Sequence, residues 1–157
     1  MKKITVLFGG SERSVHTRAL LTSFYEKLNP EDDLTEFSAY SLYPKPCNGC
    51  NYCGNKGGKC RYNDLDALWQ SISGCDMLVI ASPVYHLSFP GPLKTVLDRA
   101  QPYFFNPIPG LRPAILLATG GSPNSSGEIM RKQLNYLLPN LGFELKEVII
   151  ESDTDRK

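Results

Sequence analysis

Four of the five cysteines fall in one short stretch, CNGCNYCGNKGGKC, as Cys47, Cys50, Cys53 and Cys60. The spacing is C-x2-C-x2-C-x6-C, and two intervals of three residues let neighbouring thiolates turn toward one centre. Soft thiolates select zinc or an iron–sulfur cluster. All four lie within one loop rich in Gly, Pro and Asn, unlike ferredoxins that share a cysteine between two clusters. Lys45, Lys56, Lys59 and Arg61 would offset negative charge there and favour thiolate over thiol. Free thiols, a structural zinc and a disulfide compete with a cluster, the disulfide least in a reducing compartment. Cys75 stands apart, before a hydrophobic run, as an inert core thiol.

A second group of residues follows the first apolar run. Gly9 and Gly10 allow a tight turn, and Ser11, Arg13, Ser14, His16 and Thr17 lead into a helix. The start of a helix offers unpaired N–H groups and a positive dipole end, which suit a phosphate. Ser11, Ser14 and Thr17 can donate hydroxyl protons, and Arg13 can add a charged fork. A simple helix cap at Ser11 or Ser14 is the plainer alternative. The loop lacks both the Gly-Lys-Ser/Thr ending of a Walker loop and the spaced glycines of the dinucleotide fingerprint. A nucleotide with one phosphate fits it better.

Two further loops carry Pro83, Val84, Tyr85 and His86, then Thr119, Gly120 and Gly121. A proline-stiffened backbone beside an aromatic and a histidine can hold the edge and face of a flat heteroaromatic ring. Paired glycines allow close backbone approach.

The elements that position these loops follow from hydrophobic period. Ile4 to Phe8, Met77 to Ala81 and Ala114 to Ala118 are short continuous apolar runs, as strands buried on both faces require. Thr35 to Tyr40 and Phe143 to Ile150 alternate, as edge strands do. Helical stripes run through Leu20, Leu21, Phe24 and Leu28; through Leu65, Leu68, Trp69 and Ile72; through Leu93, Val96, Leu97 and Ala100; and through Met130, Leu134, Leu137 and Leu138. Pro92 belongs in a first turn, and Pro139 ends the last stripe. Alternating strands and helices predict an α/β fold with a parallel sheet. Five strands ordered 2-1-3-4-5 put the continuous runs inside and the alternating ones at the edges, a flavodoxin-like layout. Ligands in such sheets sit beyond the carboxyl ends of the strands, where the three loops belong.

The chain has 157 residues, one domain's worth, with 17 basic and 16 acidic side chains for a net charge of +1. We read residues 1–157 as a single domain with a cysteine-rich loop, 41–63, inserted after the second strand. Scattered charge argues against nucleic acid or a membrane surface as partner. The apolar start before Gly9 is too short for a signal peptide, so a soluble, cytoplasmic protein is expected. The charged ending ESDTDRK predicts a fraying tail. Asp98 and Arg99 are expected to pair near a helix surface, with Asn63 a candidate cap. Tyr103, Phe104 and Phe105 are expected to line a ligand mouth or a dimer contact.

Taken together, GGSERSVHT, SPVYHLSFPGPLKTVLDR and TGGS resemble the NADPH-dependent FMN reductase group of flavodoxin-like proteins over about residues 3 to 145. The resemblance implies FMN, with its phosphate held by Ser11, Arg13, Ser14, His16 and Thr17. It places the isoalloxazine against Pro83, Val84, Tyr85 and His86, with Thr119, Gly120 and Gly121 closing the other side. The first loop is about one residue shorter than the commonest family form. The implied activity is oxidoreduction, with NAD(P)H as electron donor and a flavin, quinone or similar acceptor. No side chain need act as a nucleophile. The cysteine spacing also resembles the compact motif of iron–sulfur flavoproteins. That likeness implies a [4Fe-4S] cluster on Cys47, Cys50, Cys53 and Cys60 beside FMN, exchanging electrons with ferredoxin-like partners. The family resemblance further suggests a homodimer or homotetramer. A phosphoacceptor receiver domain shares the sheet order but needs acidic residues where this chain has Phe8, Gly9 and Gly10.

Overall fold

Val6, Val79 and Ile115 lie side by side across the sheet on one face, and Leu7, Ile80 and Leu116 on the other. The computed structural model describes residues 1–156. Its five strands are β1 (Lys3–Phe8), β2 (Asp33–Ser38), β3 (Met77–Pro83), β4 (Arg112–Thr119) and β5 (Phe143–Glu151). They form one parallel sheet in the order β2-β1-β3-β4-β5. The three inner strands are the continuous apolar runs, because helices cover them on both sides.

The helices are α1 (Val15–Tyr25), α2 (Ala39–Leu42), α3 (Tyr52–Asn55), α4 (Asp66–Gly74), α5 (Gly91–Asp98), α6 (Gln101–Phe105) and α7 (Glu128–Leu137). Leu68 and Ile72 of α4, Leu93, Val96 and Leu97 of α5, and Met130 and Leu134 of α7 share one buried cluster with Leu7, Ile80 and Leu116. Leu20, Leu21 and Phe24 of α1 pack with Ile4, Val6, Val79 and Leu117 on the opposite face. Arg18 of α1 bonds Glu36 of β2 through both terminal nitrogens, at 3.0 and 2.7 Å, and lies 3.9 Å from the centre of the Phe8 ring. Pro92 sits in the first turn of α5, and Pro139 falls in a 3-10 turn, Leu138–Leu141, that follows α7.

Several boundaries depart from the sequence expectation. The second strand ends at Ser38, and Ala39 and Tyr40 open α2 instead, because the Ser38 hydroxyl accepts from the Ser41 N–H and starts a turn. Helices α2 and α3 give local structure to the cysteine loop. Helix α4 follows Leu65 with no side-chain cap, so Asn63 contributes only its carbonyl, which accepts from the Asp66 N–H. In β5 the pairing with β4 slips at Ala114/Ile115, so Lys146 is an extra residue. This bulge lets Leu145 and Val148, three apart, both reach the same core.

Asp153 to Asp155 are tied down rather than fraying, and Lys157 lies outside the described residues. Asp153, Thr154 and Asp155 donate backbone N–H groups to Ser122, Gly120 and Gly121, and Thr154 is buried. Backbone bonds to the loop after β4 outweigh the charge of this segment. Among the described residues, no helix is long and apolar enough to cross a membrane.

Candidate functional site

The loops after β1, β3 and β4 meet at the carboxyl end of the sheet. The Gly9 N–H donates to Ala81 of β3 at 2.7 Å, and the Val84 N–H donates to Thr119 of β4 at 2.8 Å. Thr17 and Thr119, both buried, share a hydroxyl–hydroxyl bond of 2.6 Å.

Within the first loop, Ser14 Oγ accepts from the Ser11 N–H at 3.1 Å, and Ser11 Oγ accepts from the Arg13 N–H at 3.2 Å. Each hydroxyl thus spends a lone pair inside the loop and keeps its proton to donate outward. Neither serine caps α1 through its side chain, which removes the plainer reading of this loop. Among the described residues the N–H groups of His16 and Thr17 take no hydrogen-bond partner, as expected in an uncapped first turn. Arg13 is exposed and, among the described residues, in no ion pair. Hydroxyl protons, free N–H groups and a cation of this kind are the donor set by which a helix start can hold an anion.

After β3 the chain makes a two-residue turn. Tyr85 and Ser88 exchange both backbone bonds at 2.9 Å, with His86 and Leu87 at φ 49° and 64° between them. This is the type I′ geometry that normally takes glycine or asparagine. Tyr85 and Leu87 are exposed while Phe89 is buried beneath. Pro83 is buried and Val84 half-buried. Tyr40, at the start of α2, lies beside Tyr85; burial first, and then that neighbour, push its phenol upward. Sequence reasoning missed Tyr40, although its place just after β2 marks the carboxyl end of a fourth strand.

The third loop is held by the chain itself. Gly120 donates to the Glu151 carbonyl and accepts from Thr154, so its backbone groups are occupied. A Cβ on Gly120 would strike Ser125, and one on Gly121 the Asp155 carboxylate. These glycines accommodate the close approach of the terminal segment.

Cys47, Cys50, Cys53 and Cys60 line one cavity of about 350 Å3, with Arg61, Arg99, Gln101 and Pro102. Cys53 is buried, Cys60 partly so, and Cys47 and Cys50 are exposed. Burial, and more weakly the nearby Cys47 and Cys60, push the Cys53 thiol up. Among the described residues no three His, Cys, Asp or Glu side chains gather as ligands of a single metal ion. Cys75 is buried, its Sγ donating to the Ile72 carbonyl at 3.4 Å.

Arg99 departs from its expected place. Asp98 pairs instead with Lys94, at 2.6 Å. Arg99 is 2% exposed and bonds Asp64 at 2.7 and 3.1 Å and the Lys45 carbonyl at 2.7 Å. It follows Val96 by three residues, on the stripe that faces the core. Burial works against its charge, but the bond to Asp64 and the nearby Cys60 sulfur raise its pKa nonetheless. Tyr103 packs against Trp69 with ring centres 5.4 Å apart, while Phe104 and Phe105 are exposed.

Residues 2–150 match the family of NADPH-dependent FMN reductases. An iron–sulfur flavoprotein of Archaeoglobus fulgidus is 37% identical over 76 residues, 48% of this chain and 32% of that protein. An iron–sulfur flavoprotein of Methanocaldococcus jannaschii is 26% identical over 161 residues, 98% of this chain and 77% of that one. An FMN-dependent NADPH-azoreductase of Staphylococcus aureus is 26% identical over 134 residues, 84% of this chain and 65% of the enzyme. This chain thus spans a third to three quarters of these relatives. The solved NAD(P)H:quinone oxidoreductase from Methanothermobacter marburgensis shares the fold, with TM-score 0.72 at 19% identity over 98% of this chain and 87% of that one.

Proposed function

This chain belongs to the NADPH-dependent FMN reductase family, and from that premise we propose that it is an FMN-dependent oxidoreductase. It takes reducing equivalents from NAD(P)H and passes them to a flavin, quinone or similar acceptor. The observation that supports this reading is at the start of α1, where the Ser11 and Ser14 hydroxyls accept only within the loop, the His16 and Thr17 N–H groups have no partner among the described residues and Arg13 is exposed, a set that serves as an anion cradle.

The cradle fits the single phosphate of FMN. Ser11 and Ser14 donate hydroxyl protons, the His16 and Thr17 N–H groups donate from the helix start, and Arg13 supplies charge. Thr17 holds the cradle to β4 through Thr119. Pro83, Val84, Tyr85 and His86 form the ring side, with Thr119, Gly120 and Gly121 at the far wall. When bound, FMN supplies the redox chemistry, and the chain orients it and screens it from water. We place the protein in the cytoplasm, where its free thiols stay reduced. The exposed Phe104 and Phe105 suit the contact of a homodimer or homotetramer; static light scattering of the purified protein reads its molar mass and so its assembly.

Removing a charged hydrogen-bonding partner costs about 1.5–3 kcal/mol, roughly a ten- to hundredfold loss of affinity. Arg13→Ala is expected to lose FMN to that extent in a fluorescence titration of the stripped protein. Wild-type affinity in that variant would refute the cradle.

A second reading is an iron–sulfur flavoprotein electron carrier, favoured by the four thiols on one cavity wall beside Arg61 and Arg99. The donor set suits a [4Fe-4S] cluster on Cys47, Cys50, Cys53 and Cys60, with ferredoxin-like proteins as partners. Iron and acid-labile sulfide, assayed on protein purified without oxygen, decide between the readings.

A further inference from the structure

Arg99 lines the cysteine cavity and keeps one donor without an oxygen or nitrogen acceptor among the described residues. Its two terminal nitrogens bond Asp64 and the Lys45 carbonyl. Its Nε is buried and has no hydrogen-bond partner among the described residues. An unsatisfied buried donor costs about 1–3 kcal/mol, more when it is charged. Native structures complete such a donor with ordered water, an ion or a bound group. The guanidinium lines the same cavity as all four cysteines and is close enough to the Cys60 sulfur to feel its charge.

Charge around the cavity points the same way. Residues 44–63 include Lys45, Lys56, Lys59 and Arg61 and no acid. Lys45, Arg61 and Arg99 lie 4.9, 5.5 and 5.4 Å from the centre of the Tyr62 ring. Three cations around one ring repel one another, and Asp64 at 2.7 Å from Arg99 offsets one of them. The surplus is suited to an anionic group with sulfur acceptors.

We propose that Arg99 is a positioning residue of the cysteine cavity: it clamps both ends of the loop through Lys45 and Asp64, and its Nε–H donates to a sulfur of the iron–sulfur group held there. The proposal rests on the iron–sulfur reading. A hydrogen bond to sulfur favours the more negative, reduced state and so raises the reduction potential. No bond breaks and no proton moves; Arg99 sets how tightly the group is held and how readily it accepts an electron.

The test uses full-length protein loaded anaerobically with ferrous iron and sulfide. The midpoint potential is read by dye-mediated titration in the visible, and iron loss is timed against a chelator. Arg99→Lys keeps the charge but lacks the Nε–H. It is expected to lose iron several-fold faster and to titrate at a lower potential. Asp64→Asn loosens the clamp but keeps Nε, so it should lose iron faster without the fall in potential, since removing a carboxylate charge works in the opposite direction. Equal potentials in wild type and Arg99→Lys would overturn the proposal, as would equal shifts in both variants. Wild-type protein that takes up no iron or sulfide would refute the iron–sulfur reading itself, a separate outcome. If Arg99→Lys does not fold, wild type labelled with nitrogen-15 arginine still decides. One Nε–H resonance should shift on iron loading, and no shift would overturn the proposal.

Discussion

Thr17 and Thr119, 102 positions apart in sequence, share a buried hydroxyl–hydroxyl bond of 2.6 Å that ties the first turn of α1 to the end of β4. Thr119 also accepts the Val84 N–H at 2.8 Å. One residue therefore fixes both the cradle and the loop after β3. Thr119→Val leaves the Thr17 hydroxyl buried without its partner, at a cost of about 1–3 kcal/mol. A lower urea midpoint and several-fold weaker FMN binding are expected. The double variant Thr17→Val, Thr119→Val should lose less than the two single losses added together, because no orphan remains.

His86 and Leu87 occupy the two positive-φ positions of a type I′ turn without being glycine. A left-handed residue with a Cβ costs roughly 1–2 kcal/mol, and strain of this kind collects where a loop must be held for a ligand. Leu87 is 44% exposed, so removing its side chain forfeits little packing. Leu87→Gly is expected to raise stability by roughly 1 kcal/mol and to release FMN faster, since a relaxed turn holds its N–H groups less firmly. Thermal unfolding and flavin dissociation rates check the two halves separately. A destabilised variant would contradict the strain assignment.

What was legible in the sequence is what repeats locally. Ile4 to Phe8, Met77 to Ala81 and Ala114 to Ala118 announce inner strands because burial on both faces leaves Thr5 as their one polar residue. Family membership was equally legible, since the loop motifs are contiguous. Arg99 was not, because its partners Asp64 and Lys45 lie 35 and 54 residues away, and its place three residues after Val96 says only that it faces the core, not what it meets there. The terminal segment was misread for the same reason: its charge is local, whereas the backbone bonds to Gly120, Gly121 and Ser122 are not.

Arg112 carries the far edge of the sheet. Its Nη1 donates to the carbonyls of Ile72, Ser73 and Cys75 at 3.0, 3.1 and 2.7 Å. Its Nη2 and Nε reach Leu141 and Gly142, and its plane lies 4.0 Å from the centre of the Phe143 ring. A cation at the carboxyl end of α4 satisfies carbonyls that the helix leaves open. Arg112→Met is expected to cost about 3 kcal/mol, because charged hydrogen bonds contribute about 1.5–3 kcal/mol each and here they act together. The residue starts β4, at the end of the sheet opposite the cradle. FMN affinity of the folded fraction should therefore stay at the wild-type value while the urea midpoint falls.

Asp64 gives the cysteine loop a pH dependence of definite sign. The bond from Arg99 holds its carboxyl below the ordinary range, against burial and with help from the Lys45 N–H. A carboxylate with a lowered folded pKa contributes its full stabilisation above the unfolded value, near ~3.9, and loses it as pH falls through the folded value. The clamp on the loop should therefore hold from neutral pH down to about 4 and open below it. Trp69, the only tryptophan, lines a groove with Cys60, Tyr62 and Asn63 and reports on that opening. Its emission should stay flat above the transition and change below it in wild type. In Asp64→Asn the neutral form already lacks the charge, so the acid transition should vanish and the loosened spectrum should appear at pH 7. A transition that persisted unchanged in Asp64→Asn would assign the acid response to another group.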